Sequence, residues 1–555
     1  FNMKKILCLF AIALMMVSCG TTSSEASFIP KDAIGVMYIN LESLSKKSND
    51  VDFKSLSISK MMEESAPREI KEFMNTQMTA ENMKATFRNG FILGFMTVNR
   101  MSPSGGLIIP IKDAASFQKM VQPLLDKAPR IEKQENVGKG KAFTVYSNRE
   151  IAIGWNDKTA LIIGAQNFAG QELIDLTNLE SSKSITATNY FSDFFDGSKD
   201  MGLHMTSTPV SSLGDSFIST MTGLNIDLEN NNLMYHTSFE DDRLYTSAKL
   251  KMNDDIKSLI GYESWMSKSY DASLLDMMPK NPAMLMKLSI DPTAMFKHFE
   301  GLQDNTVLPE SIRTQIKMSV NALNNQMKGM MGMTAEEAFG IFEGSMMVSI
   351  TEGITVKDSI SKYNYNTGEY EAKEIERKIP NMYAAISIKD QAKFDKILGF
   401  AMQMSRPMAT KGKDYYQLEK NLFVVVKNGA LFITSNGSKA DEIYNNGKLG
   451  SNLSGFEHED KLNNSMYMYV SNDFTRVYGE ALSSMNPYGS YSGRGGMDFA
   501  SIGEISRQYF GDSHVTMNAD GMEAYSYTKG EGNSLVRMIM YTDAVFKEAT
   551  KMMRY

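Results

Sequence analysis

Five histidines, His204, His236, His298, His458 and His514, are scattered along the 555 residues. No two stand in His-x-x-x-His or His-Glu-x-x-His spacing, so no helix-borne zinc site is legible. The run Met327-Lys328-Gly329-Met330-Met331-Gly332-Met333 has the soft thioethers that ligate Cu(I). In a chain with 44 methionines, a helix end packing Met into a core is the better account of it. Ser57-Ile58-Ser59-Lys60 matches the Ser-x-x-Lys of penicillin-recognising acyl enzymes, but the companion Lys-Thr-Gly is missing. No Gly-x-Ser-x-Gly, Walker phosphate loop or strand-following Gly-x-Gly-x-x-Gly occurs. The carboxylate pairs Asp241-Asp242 and Asp254-Asp255 stand by turns, where solvation explains them. The expectation is a protein with no catalytic residues, no metal and no cofactor.

One side chain does carry legible chemistry. Lys4-Lys5 precedes a twelve-residue apolar run, Ile6 to Val17, too short to span a bilayer as a helix. Met16-Val17-Ser18-Cys19-Gly20 then resembles the bacterial lipobox, whose Cys is acylated and becomes the new N-terminus. This predicts a signal peptide over 1–18, a lipid-attachment site at Cys19 and a flexible tether over 19–27. The only other cysteine, Cys8, lies inside the signal, so stability must come from core burial rather than disulfides. Without Lys4 and Lys5 the chain has 56 basic against 65 acidic residues, a formal −9. Such a body repels nucleic acid and anionic lipid, and neither is expected as a partner.

The elements are written twice. Ile109-Pro110-Ile111-Lys112-Asp113-Ala114-Ala115-Ser116-Phe117 returns as Ile386-Ser387-Ile388-Lys389-Asp390-Gln391-Ala392-Lys393-Phe394. Each reads as a strand end, an Asp at the N-cap position and a helix. Thr79-Ala80-Glu81 returns as Thr334-Ala335-Glu336, and Thr334 with Glu337 predicts a capping box. Asn428-Gly429 between apolar runs predicts a hairpin, matched by Arg149–Gly154 turning into Thr159–Gly164. The separation between equivalents runs 249 (Pro30/Pro279), 255 (Thr79/Thr334), 277 (Lys112/Lys389), 270 (Ala160/Ala430), 265 (Met201/Met466) and 280 (Tyr245/Tyr525). Collinearity in so narrow a band predicts a tandem duplication. The expected architecture is α+β, with copy 1 over 28–265, a linker over 266–276 and copy 2 over 277–555. Each copy would be an antiparallel-rich sheet with helices on one face.

The pattern Ile29-Pro30-Lys31-Asp32-Ala33, a strand, then Leu41-x-x-Leu44, directly after a lipobox, resembles the Bacteroidetes lipoproteins grouped as domain of unknown function 4836. The resemblance covers most of the mature chain and implies a cell-envelope lipoprotein, and it carries no catalytic residue over. The expected address is the outer membrane facing the periplasm, with surface exposure left open. The expected role is non-catalytic binding or support. A surface glycan-binding protein, or a hydrolase without a legible motif, is the alternative.

The rise from 255 to 277 marks an insertion in copy 2, read at 359–378 opposite a short loop, Met101–Gly106, in copy 1. It is tyrosine-rich. A two-residue turn at Thr367-Gly368 would pair Tyr365 with Tyr370 and set Tyr363 on the same face. Tyr363, Tyr365 and Tyr370 are therefore the candidate interaction surface for an envelope protein or glycan.

Overall fold

The computed structural model describes residues 23–553 except 50, 58, 62–67, 100–101, 127, 129, 212–222, 225, 365–367, 406–414, 420 and 486–498. Cys19 and Tyr365 lie outside the described residues. The chain forms two compact units, one of 1–256 with 531–539, the other of 257–530 with 540–555. Both combine helices with antiparallel strands.

The first unit contributes β1 (Gly35–Asn40), β2 (Phe91–Asn99), β3 (Ser102–Pro110), β4 (Glu132–Val137), β5 (Phe143–Ser147), β6 (Ile151–Trp155), β7 (Thr159–Ala165), β8 (Met201–Thr206), β9 (Asn232–Phe239) and β10 (Arg243–Lys251). Every pairing is antiparallel, in the order β4-β5-β6-β7-β3-β2-β1-β8-β9-β10. The second contributes β11 (Met284–Ser289), β12 (Phe342–Asn364), β13 (Glu369–Ile388), β14 (Tyr416–Glu419), β15 (Leu422–Lys427), β16 (Ala430–Thr434), β17 (Met466–Val470), β18 (Phe510–Asn518) and β19 (Gly521–Thr528). Their order is β14-β15-β16-β13-β12-β11-β17-β18-β19. Apart from the extra edge strand β4, the two orders are the same strand for strand.

Helices cover both faces of each sheet, not the one face expected. In the first unit Phe117, Met120, Val121 and Leu125 of helix Ala114–Leu125 pack over one face. Ala169, Leu173 and Leu176 of helix Ala169–Thr177 pack over the other. In the second, helices Gln391–Ser405 and Gly437–Asn446 do the same through Phe394 and through Ala440 with Ile443. The reason is visible in β7, where Ala160-Leu161-Ile162-Ile163 is buried at every position. A strand apolar on both faces needs cover on both.

The local signals act as the residue types dictate. Asp113 Oδ1 accepts the Ser116 N–H at 2.8 Å and Asp390 Oδ1 the Lys393 N–H at 3.0 Å, each just ahead of its helix. Thr334 and Glu337 form the full capping box. Asn428 and Gly429 both take positive φ, 51° and 72°, in the two-residue turn from β15 to β16.

Three loop assignments need correcting. The supposed tether is folded from Ser23: a short helix, Ser23–Ala26, buries Ala26, and Glu25 pairs with Arg88. The polar stretch read as a linker contains a 3-10 helix, Ala272–Met277, whose Leu274, Leu275 and Met277 are core. Three apolar side chains among small polar ones were enough to seat it. The segment Ser102–Gly106 is strand, not loop, because β2 turns into β3 between Asn99 and Ser102. Its two glycines lie under the Phe95 side, where a Cβ at Gly106 would stand 2.6 Å from the Phe95 ring.

Candidate functional site

Several of the polar groups that the fold buries lie on the central strands. In the second unit β11 alternates, with Leu285, Lys287 and Ser289 inward, so Lys287 is fully buried. Its ammonium donates to the Asn464 carbonyl at 2.6 Å and lies 5.6 Å from the centre of the Tyr270 ring. Desolvation brings its pKa down to about 8, so it stays largely charged at neutral pH.

Opposite Lys287, on β17, stands Tyr467, also fully buried. Its phenol shares a 2.8 Å hydrogen bond with His514 Nδ1 on β18. Burial holds the phenol protonated far above its ordinary range, and pushes His514 down to about 4, aided by His458 and Lys461. His514 is thus a neutral imidazole at pH 7, and its buried Nε2 has no hydrogen-bond partner. The His458 ring stands 4.3 Å away, edge-on. Next along β17, the Tyr469 phenol donates to Asp512 at 2.9 Å. Tyr270 donates to Glu459 at 2.9 Å, and burial, together with that carboxylate, raises its pKa to about 12.

What this arrangement does chemically is limited by its own bonds. The cation and the phenols are turned onto carbonyl, carboxylate and imidazole acceptors of neighbouring strands and the connection before β17. That is a network tying β11, β17 and β18 together. No group of three His, Cys, Asp or Glu suited to a metal ion occurs among the described residues.

The first unit holds the corresponding place differently. Tyr38 on β1 stands opposite Gly202 on β8. A Cβ at Gly202 would lie 2.2 Å from the Tyr38 ring, so the ring occupies the space that glycine leaves. Phe91, Phe194 and Phe195 surround it, and burial raises its pKa, with Asp196 and Asp200 adding to the rise. His204 stacks on Tyr190 at 4.0 Å, bonds Asn232 at 3.2 Å and is pushed down by burial to about 4. Asp200, fully buried, accepts from Lys47 at 2.6 Å, from the Phe239 N–H at 2.5 Å and from Ser43.

The residues singled out from sequence fall as follows. On the long β12–β13 hairpin Tyr363 pairs with Tyr370, two residues out of the predicted Tyr365–Tyr370 register. The last described pair of this ladder is Asn364 with Glu369. Tyr363 is exposed. Of the methionine run, Met327, Met331 and Met333 pack into the core, which is the packing role rather than the ligand one. Trp155 is buried and stacked on Tyr146 at 5.5 Å. Sequence reasoning missed Lys287. The signal was available: the 249-residue spacing of Pro30/Pro279 puts Lys287 where Tyr38 stands, on an inward face.

No curated protein matches the chain. Solved structures described as crystal forms III and I of TP0453 align with 43% of this chain and with 86% and 84% of their own. Their identities are 8% and 12% and the TM-score is 0.23 for each, too slight a likeness to bear on fold or role. The family model described as "Domain of unknown function (DUF4836)" matches residues 26–474, most of the folded chain, and the protein belongs to that family.

Proposed function

We propose that this is a lipid-anchored cell-envelope protein, built from a duplicated module, that binds or supports envelope components without catalysis. The observation that carries the anchoring is Ser18-Cys19-Gly20 behind the apolar run. Several acyl chains on that cysteine anchor firmly where one would hold marginally. The Cys19→Ala variant should lose metabolic acyl label and leave the membrane fraction; label that persists overturns the anchoring. Protease shaving of intact cells separates a periplasmic from an exposed face.

The duplication is supported by register as well as order. Tyr38 pairs with Leu93 and Gly202, and Lys287 with Met347 and Tyr467. The Ile111 N–H bonds Lys158 O and the Lys112 N–H bonds Thr86 O; Ile388 bonds Gly429 and Lys389 bonds Ile341 in the same way. The non-catalytic reading is supported by the buried network, whose strongest donors are spent on the fold itself. A pull-down from native envelope with the lipidated protein as bait tests the binding role. The second reading, glycan binding, rests on exposed Tyr363 beside Tyr370 on the long hairpin. Glycan retention that survives Tyr363→Ala sinks it.

A further inference from the structure

We propose that one end of the first unit's sheet is a contact surface for an anionic bilayer, a reading that rests on the lipid anchoring above. Four connections meet there. The β4–β5 connection presents Lys139 and Lys141, the β6–β7 turn Lys158, the exit from β3 Lys112, and helix Ala80–Thr86 Lys84, all exposed. They are neighbours: the Ile111 N–H donates to Lys158 O at 2.9 Å, and Lys112 Nζ donates to Lys84 O. Thr144 pairs with Trp155, which sets the Lys139–Lys141 turn beside Asn156-Asp157-Lys158. Beside these lysines the exposed acids are Asp157, Glu81 and Glu180, the last paired with Lys183, while Asp241 and Asp242 stand across the sheet at the same end, on the β9–β10 turn; Asp113 is committed to capping, and Glu25 is buried against Arg88. The surface is thus locally cationic on a chain whose formal net charge is −7.

This end also receives the chain from Cys19. Glu25 is held by Arg88, whose N–H bonds Pro110 O at the end of β3, and the Phe28 ring lies 5.7 Å from Phe143 at the start of β5. Four residues at about 3.5 Å each keep an acylated Cys19 within roughly 14 Å of Ser23. An anchor this short keeps the bilayer near this end of the sheet, and charge attraction there acts over about 8–10 Å at physiological salt. Lysines near an anionic leaflet are attracted to it, and lipid headgroups are the occupant this position selects. The whole-chain charge argued against anionic lipid; its distribution reverses the conclusion at this surface.

The test uses the full chain with Cys19→Ser, so it does not depend on acylation. Vesicles of phosphatidylglycerol and phosphatidylcholine (1:1) should retain it at least tenfold better than phosphatidylcholine alone in low salt, and lose it in 0.5 M NaCl. The combined variant Lys112→Gln, Lys139→Gln, Lys141→Gln, Lys158→Gln should lose at least tenfold in binding with an unchanged melting temperature. A control of equal charge change in the second unit, Lys317→Gln, Lys328→Gln, Lys396→Gln, Lys448→Gln, should retain it. No preference for phosphatidylglycerol, or equal losses in the two variants, overturns the proposal. Failure of Cys19 labelling with vesicle binding intact would instead overturn the anchoring alone.

Discussion

The same central strand pair is filled in opposite ways in the two units. The first places the tyrosine on β1 and the glycine on β8, as Tyr38 over Gly202; the second places lysine on β11 and the tyrosine on β17, as Lys287 beside Tyr467. One large ring is accommodated at each crossing, on whichever strand, and the partner position adjusts in size. The histidines differ too: the first unit has His204 on β8 and His236 on β9, and the second has His514 on β18, opposite Tyr469. The two crossings therefore differ in both size and chemistry, and what they share is one fully buried tyrosine ring.

The largest test exchanges the two solutions. Gly202→Tyr alone should cost the first unit about 3 kcal/mol or more, since the new side chain meets the Tyr38 ring. Tyr38→Lys alone should cost about 4 kcal/mol, from lost ring burial and a buried charge. The double variant recreates the other unit's pair and should recover at least about 1 kcal/mol of their sum. Unit-resolved hydrogen exchange in denaturant reads this, and strictly additive costs would break the comparison.

A pH test isolates the lysine. Because the folded pKa of Lys287 is depressed to about 8, the unfolded chain binds the extra proton between there and its ordinary 10.5. The second unit should therefore gain about 1–2 kcal/mol as pH rises from 8 to 9.5, and Lys287→Met should flatten the rise. Above pH 10 the raised pKa of Tyr467 acts in the opposite sense, so the scan stops short of it. At the acid end the two units should behave alike. His204 and His514, both near 4 when folded, make stability fall as pH drops from 6.5 toward 4. His204→Gln and His514→Gln should each reduce that slope in their own unit only.

The helix caps probe where the units agree. Asp113→Ala and Asp390→Ala should each cost about 0.5–2 kcal/mol, and by similar amounts, because each loses one carboxylate–N–H bond at the same place in the fold. A large difference between them would mean that the two helix starts are not equivalent.

The smallest expected effect is in the hairpin where the units differ most. Removing 359–374, whose ends Ser359 and Glu374 face one another across β12 and β13, and bridging with Gly-Ser should change stability by no more than about 0.5 kcal/mol. The first unit closes the same pair of strands between Asn99 and Ser102. Loss of folding would show that the extension supports the core.

Sequence alone determined what depends on neighbours along the chain. The Asp113 and Asp390 caps, the Thr334–Glu337 box and the Asn428-Gly429 turn each follow from side chains within three residues of the backbone they bond. Tertiary structure decided what depends on distant partners. Whether Ser23–Ala26 is tether or fold turns on Arg88, and whether Lys287 is surface or core turns on Asn464 and Tyr467. The Tyr363–Tyr370 register turns on how a long ladder zips rather than on its turn residues. The cationic end of the first unit is likewise spread over four connections, and only the sheet brings its lysines together.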